Sequence, residues 1–222
     1  MAPIKFEESI ASKPLSTTLF DELQMDIISG KIRAGAKLTE QKLCKEYNVS
    51  RTPVREALRQ LEMDGLVESI PNRGSFVIGF SDQDIEDMYQ LRKIYEMQAV
   101  RWAIVRITKE QLESLQETFE FMEFYTMKRD KEKMLNINSF FHQQIYAASQ
   151  NKMLARNLAS YQIYVKNIRK TPLSSDEYLQ RVLEEHRAIF KAFCDGNVEG
   201  GVRAMEIHMD NSRRRALTGE LD

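Results

Sequence analysis

The sequence predicts a mainly α protein in two parts: a small N-terminal domain over 1–80 with three helices and a hairpin, then an all-α six-helix bundle over 81–222. Three observations carry this. The chain has 222 residues, more than the ~150 of a usual single domain. The residues that bracket short β runs, Gly65, Pro71, Asn72, Gly74 and Gly79, lie close together near the N-terminus, and almost no Gly or Pro follows from Ser81 until Pro172.

The elements follow in order. Leu19, Leu23 and Ile27 recur every four residues up to Gly30, Leu38, Leu43 and Tyr47 mark a second helix, and Val54, Ala57, Leu58 and Leu61 a third before Gly65. The runs 66–70 and 75–78 form one hairpin. Ser81, with Asp84 three residues on, resembles a capping box and opens helices at 82–106, 109–128, 131–148, 151–169, 175–195 and 198–216. The segment 171–176 reads as a turn and helix start, and Arg213, Arg214 and Arg215 as complements of the last helix's dipole. Phe119, Phe121, Phe124 and Tyr125 occupy more than one helical face, which leaves room for an interface, but a core role is the expectation.

Apolar residues at 42% and charged residues at 29% exclude a disordered or collagen-like chain. Lys+Arg (32) and Asp+Glu (33) cancel, so any basic footprint must be local. Cys44 and Cys194, with no CxxC near either, read as reduced buried thiols and point to a cytoplasmic setting. No apolar stretch reaches the ~18 residues of a membrane helix. The first residues lack a signal peptide's pattern, so the mature protein is expected to be the whole chain, with no membrane partner.

From Thr39 to Leu58 two short helices join through Tyr47, Asn48 and Val49, which is helix-turn-helix spacing. With Val54, Ala57, Leu58 and Leu61 inward, Arg51, Arg55 and Arg59 form a cationic stripe on the opposite face, suited to phosphates or guanine edges. Ser50 fits the N-cap and Pro53 the first turn, where exposed backbone donors also suit phosphate. The plainer reading is a solvated face paired in part with Glu56 and Glu62. Local charge favours the first: residues 31–80 hold nine Lys/Arg against six Asp/Glu. Arg73 and Gly74 at the hairpin tip add a basic point suited to the minor groove.

The run Val49-Ser-Arg-Thr-Pro-Val-Arg-Glu-Ala-Leu-Arg-Gln-Leu-Glu, followed by Asp64-Gly-Leu-Val and Asn72-Arg-Gly, resembles the winged helix-turn-helix of the GntR family of bacterial transcription regulators over roughly 16–80. The resemblance implies double-stranded operator DNA as partner. Ser50, Arg51, Thr52 and Arg55 would contact it, with Arg55 the base reader and Gly74 in the wing. Gln41 stands where some relatives place Arg.

The only three histidines, His142, His186 and His208, each sit in an apolar stripe of the second part, and Asn138 lies one turn before His142. Three imidazoles and an oxygen donor suit a divalent transition metal such as Zn, Ni or Mn, whereas a histidine on an apolar stripe also serves as a hydrogen-bonded core residue. The pattern Asn138-xxx-His142, Glu185-His186 and His208 resembles the metal site of the FCD ligand-binding domain found in the FadR branch of that family, over about 82–216. That domain usually places Asp where this chain has Asn138. Arg92 interrupts the inward stripe Ile85, Met88, Tyr89, Ala99, Ala103, with Glu96 one turn later. It reads either as an internal ion pair or as the grip on a carboxylate effector, the ligand class that the resemblance implies. Six helices in this part resemble the VanR subgroup.

The resulting expectation is a homodimeric, effector-responsive regulator on a pseudo-palindromic operator. Two rivals stand beside it: a metal-dependent enzyme that activates water at the His/Asn cluster with Glu185 as base, and an architectural DNA binder without a ligand.

Overall fold

The computed structural model describes residues 14–71, 73–168 and 176–218, so Asn72 and the predicted turn at 171–175 lie outside the described residues. The chain divides after Ser81 into two compact units. The first contains α1 (Leu15–Ile28), β1 (Lys37–Leu38), α2 (Glu40–Glu46), α3 (Arg51–Met63), β2 (Val67–Ile70) and β3 (Gly74–Val77). The predicted stripes close on each other: Leu19, Leu23 and Ile27 of α1 and Val54, Ala57, Leu58 and Leu61 of α3 are all buried, and the two helices pack together. Thr39 caps α2 by accepting from the Lys42 amide at 3.3 Å. Gly65, at φ +72°, turns the chain out of α3 into β2, a conformation that costs a side chain more than it costs glycine.

One expectation is corrected here. The sheet has three antiparallel strands in the order β1-β3-β2, with Lys37 opposite Phe76 and Leu38 opposite Ser75, where a single hairpin was expected. A two-residue strand is too short to show alternation, and Leu38, 6% exposed, was assigned to a helical stripe because only its burial is legible.

The second unit consists of α4 (Asp82–Arg106), α5 (Lys109–Met127), α6 (Lys131–Ala148), α7 (Lys152–Ile168), α8 (Asp176–Cys194) and α9 (Val198–Thr218). All six predicted helices are present, with ends within two residues of expectation. The boundaries have local causes. Thr108 and Gln111 form a reciprocal capping box at the start of α5, Asp130 accepts from the Lys133 amide at α6, and Asn151 accepts from the Met153 and Leu154 amides at α7. The long α4 packs against α6, α7 and α9. Its Ala99, Val100 and Ala103 join Leu115, Met122, Phe141, Ile145, Leu158, Leu179, Ile189 and Met205 in one apolar core. Among the described residues no helix is long and apolar enough to cross a membrane.

Three further expectations change. Both cysteines are free, but Cys194 is exposed and Cys44 half-buried, so neither is the buried thiol expected. The aromatic cluster splits, with Phe119 buried and Phe121 and Phe124 exposed. The C-terminal arginines do more than complement a dipole, since Arg213 pairs with Glu86 and Arg215 with Glu185.

Gly201 lies where α9 packs closely on α4. A Cβ there would lie 2.5 Å from Ile104 Cδ1 and 3.0 Å from Val100 Cγ1. Gly201→Val should therefore lose about 1–3 kcal/mol of stability by overpacking, measured by urea denaturation; a stability equal to wild type would contradict this packing.

Candidate metal centre and nucleic-acid interface

In the first unit, α2 and α3 meet through Asn48, which takes φ +52°, and the Val49 amide donates to the Cys44 carbonyl at 3.1 Å. Because Val54, Ala57, Leu58 and Leu61 point inward, Ser50, Arg51, Thr52, Arg55 and Arg59 are exposed together on the outer face. Ser50 takes the N-cap position of α3 with extended backbone, but its side chain makes no capping hydrogen bond. The first amides of α3 are thus not capped by that hydroxyl.

The arginines are paired in part as expected, Arg59 with Glu56, and in part differently. Arg55 Nε donates to Glu40 Oε1 at 2.7 Å, and Arg59 pairs with Glu56 at 2.8 Å. Glu62, expected to pair with this row, instead accepts from the Ser69 amide. Both arginines remain more than 60% exposed, and exposed pairs of this kind are weak enough to exchange for a phosphate or a base. At the other edge, Gly74 opens β3 at φ +97°, and Arg73 and Lys37 both lie against the Phe76 ring, at 5.9 and 5.8 Å from its centroid.

In the second unit, α6, α8 and α9 bring His142, His186 and His208 together, at most 4% exposed. One nitrogen from each ring lies within 4.8 Å of the others. Every Nδ1 is held from behind by an oxygen: His142 by Glu96 at 3.2 Å, His186 by the Val182 carbonyl at 2.7 Å, and His208 by Glu185 at 2.6 Å. A carbonyl or carboxylate oxygen only accepts, so each Nδ1 carries a proton, and in a neutral ring the Nε2 then keeps its lone pair. His142 Nε2 and His186 Nε2 face each other at 3.3 Å. Two imidazoles on a tetrahedral metal with ~2.0–2.1 Å bonds have nitrogens about 3.3 Å apart. A shared proton satisfies one such pair; a divalent cation satisfies all three rings.

Asn138 supports the same conclusion. Among the described residues its buried Oδ1 has no hydrogen-bond partner, which costs free energy unless a cation or donor fills the place. It lies in the wall of a cavity of about 270 Å³ together with His208, Arg92, Arg215, Ser139, Gln162 and Ser212. That volume admits a small acid and excludes a dinucleotide. The residues present therefore fit a divalent metal.

Arg92 satisfies both of its readings in part. It is buried and donates from Nε and Nη2 to Glu96 Oε1, at 3.1 and 3.0 Å, yet it also lines the cavity. Glu96 thus joins Arg92, His142 and the Tyr146 hydroxyl in one network. Burial pushes the Glu96 carboxyl up, but His142 and Arg92 outweigh it and hold it at about 2. Burial and the neighbouring imidazoles push His186 well below its ordinary value, and burial brings His208 to about 4. Both rings are therefore neutral at pH 7, as metal ligation requires. Burial also raises the Tyr146 phenol well above its usual range, so it stays a donor.

The sequence offers Glu96 only as a partner of Arg92, and Glu185 only as the base of the enzyme alternative. Glu185 instead accepts from His208, Asn211 and Arg215, with Arg215 and His208 overriding burial to keep it below the usual carboxylate range. It orients the His208 ring. Tyr146, Ser139, Gln162 and Ser212 were missed. Tyr146, one turn after His142, carried the one usable signal: a polar tip on an inward stripe.

Residues 15–77 match the family described as bacterial regulatory proteins, gntR family, and residues 87–211 match the FCD domain. The chain is 27% identical over 200 residues to the HTH-type transcriptional regulator YdhC of Bacillus subtilis, across 89% of each chain. It is 24% identical over 198 residues to the HTH-type transcriptional repressor RspR of Escherichia coli, across 89% of this chain and 87% of that one. The solved structure of E. coli McbR/YncC shares the fold, with TM-score 0.68 at 23% identity over 89% of this chain and 94% of that chain.

Removing the carboxylate shared by Arg92 and His142 leaves a buried guanidinium without its partner. Glu96→Ala should cost about 3–5 kcal/mol in urea denaturation; a loss below ~1 kcal/mol would show that Glu96 does not hold the network.

Proposed function

The chain belongs to the gntR family of bacterial regulatory proteins and carries an FCD domain, and from that premise we propose a transcription regulator whose operator binding responds to a small acid bound beside a metal. The observation that carries the DNA reading is the exposed row Arg51, Arg55 and Arg59 on α3, directed away from the core of a helix-turn-helix. Arg55 reads a base edge, Ser50, Arg51, Thr52 and Arg59 hold phosphates, and Arg73 and Gly74 bring the wing to the minor groove. A homodimer presents two such units to a pseudo-palindromic operator in the cytoplasm.

His142, His186, His208 and Asn138 hold a divalent metal, Zn, Ni or Mn. When bound, the metal supplies positive charge at the cavity wall, and Arg92 adds a second cationic group for an effector carboxylate. Arg92 reaches that carboxylate only by sharing or leaving Glu96, so effector binding and the histidine network are energetically coupled. The effector acts by favouring one arrangement of the dimer over another. Six helices support placement in the FadR branch, near the VanR subgroup. The enzyme alternative loses its base, because Glu185 is already held by three donors.

Arg55→Ala should weaken binding to the protein's own upstream DNA by about 1–3 kcal/mol. Fluorescence anisotropy checks this, and unchanged affinity would contradict the DNA reading. For the metal, Asn138→Asp restores a carboxylate to the ligand set and should bind Zn, Ni or Mn roughly tenfold tighter. Chelator should lower the melting temperature of the wild type, and re-added metal should restore it. A melting temperature indifferent to chelator and to all three metals would contradict the metal centre.

A further inference from the structure

β1, the strand without a sequence signal, carries a charge that the recognition helix and the hairpin do not supply. Lys37 stands opposite Phe76 of β3, and its neighbour Leu38 turns inward, so the lysine projects from the outer face of the sheet. The half-buried Phe76 ring there meets two cations, the Lys37 ammonium at 5.8 Å from its centroid and the Arg73 guanidinium at 5.9 Å. Gly74 makes room for the first. A Cβ there would lie 3.1 Å from Lys37 Cε and 3.9 Å from Nζ, so the missing side chain lets the lysine stem lie across the start of β3. The ammonium therefore reaches the hairpin tip although it belongs to another strand.

Charge points to what this pair takes up. Lys37 and Arg73 are both exposed, and among the described residues neither forms an ion pair. Glu68, opposite Phe76 on β2, shares the outer face and pairs with neither. On α3, by contrast, Arg55 and Arg59 each have a carboxylate. An aromatic face holds a cation in place without neutralising it, and two like charges gathered on one ring repel until an anion stands near them. An ammonium is a point charge without the planar fork that matches a base edge, so its natural partner on a duplex is a backbone phosphate.

We propose that Lys37 is a phosphate contact of the DNA interface, holding the backbone at the edge of the groove that Arg73 enters, with Phe76 as the platform that spaces the two cations. The proposal rests on the DNA reading above and adds to it a residue outside both the helix-turn-helix and the hairpin. It also gives Gly74 a second duty, since the glycine that opens β3 clears the path of the lysine.

Fluorescence anisotropy of the full chain over a salt series tests this, on its own upstream DNA and on a random duplex of equal length. For the wild type, the logarithm of the binding constant should fall linearly with the logarithm of the salt concentration. Lys37→Gln should flatten that slope by about 0.9 for each copy of the chain on the duplex, and should weaken both duplexes by the same factor, roughly three- to tenfold at physiological salt. Lys37→Arg should keep the wild-type slope. Lys109→Gln, which removes the same charge from an exposed site on α5, should leave the slope unchanged. A Lys37→Gln slope equal to wild type overturns the phosphate contact and leaves the DNA reading standing. A loss confined to the upstream DNA at unchanged slope makes Lys37 a base reader, and a Lys109→Gln slope just as flat makes the effect one of bulk charge; either overturns the proposal. A wild type without salt-dependent binding to either duplex overturns the DNA reading and this contact with it.

Discussion

The second unit depends on how three buried imidazoles are held from behind. Glu96, the Val182 carbonyl and Glu185 each fix one Nδ1 proton, and that leaves Nε2 as the nitrogen each ring offers to the space between them. An arrangement of unpaired acceptors in an apolar core has a free-energy cost, and a divalent cation is the simplest group that offsets it. The same carboxylates reach outward. Glu96 neutralises Arg92 and Glu185 neutralises Arg215, and both arginines stand in the wall of the cavity. The three histidines, the buried charges and the cavity wall are therefore parts of one connected network.

The first unit works by the opposite economy of exposure. Its core is closed by Leu23, Val54, Ala57 and Leu61, each fully buried, and this leaves the arginine face of α3 with no packing duty. Arg55 is held by the half-buried Glu40 and Arg59 by the half-buried Glu56 and the Met63 sulfur, partners that orient them without committing them. Glu40 holds Arg55 from α2, so the two helices of the motif cooperate in aiming its guanidinium.

Much of this was legible in the sequence, and the exceptions have physical reasons. Helices of 17 to 25 residues repeat their stripe often enough to be read, as α4 and α7 do, and residues such as Thr108 and Asp130 mark their starts. A two-residue strand repeats nothing, so β1 was missed. The histidines were legible because an imidazole on an apolar stripe is conspicuous, and the family resemblance supplied the reason to group three of them. Their partners were less so. The Val182 carbonyl has no sequence signal, Tyr146 resembles a core aromatic, and the pairing of Glu185 with His208 depends on how α8 meets α9. The partner of Arg55 was missed because Glu40 lies fifteen residues away on another helix.

The tautomer of the three rings is the claim from which the rest follows, and nitrogen NMR of ¹⁵N-histidine-labelled protein at neutral pH reads it directly. The account predicts a protonated Nδ1 and an unprotonated Nε2 for His186 and His208, and a Zn titration that shifts the Nε2 signals of all three histidines together. Protonated Nε2 signals that zinc leaves unmoved would contradict it.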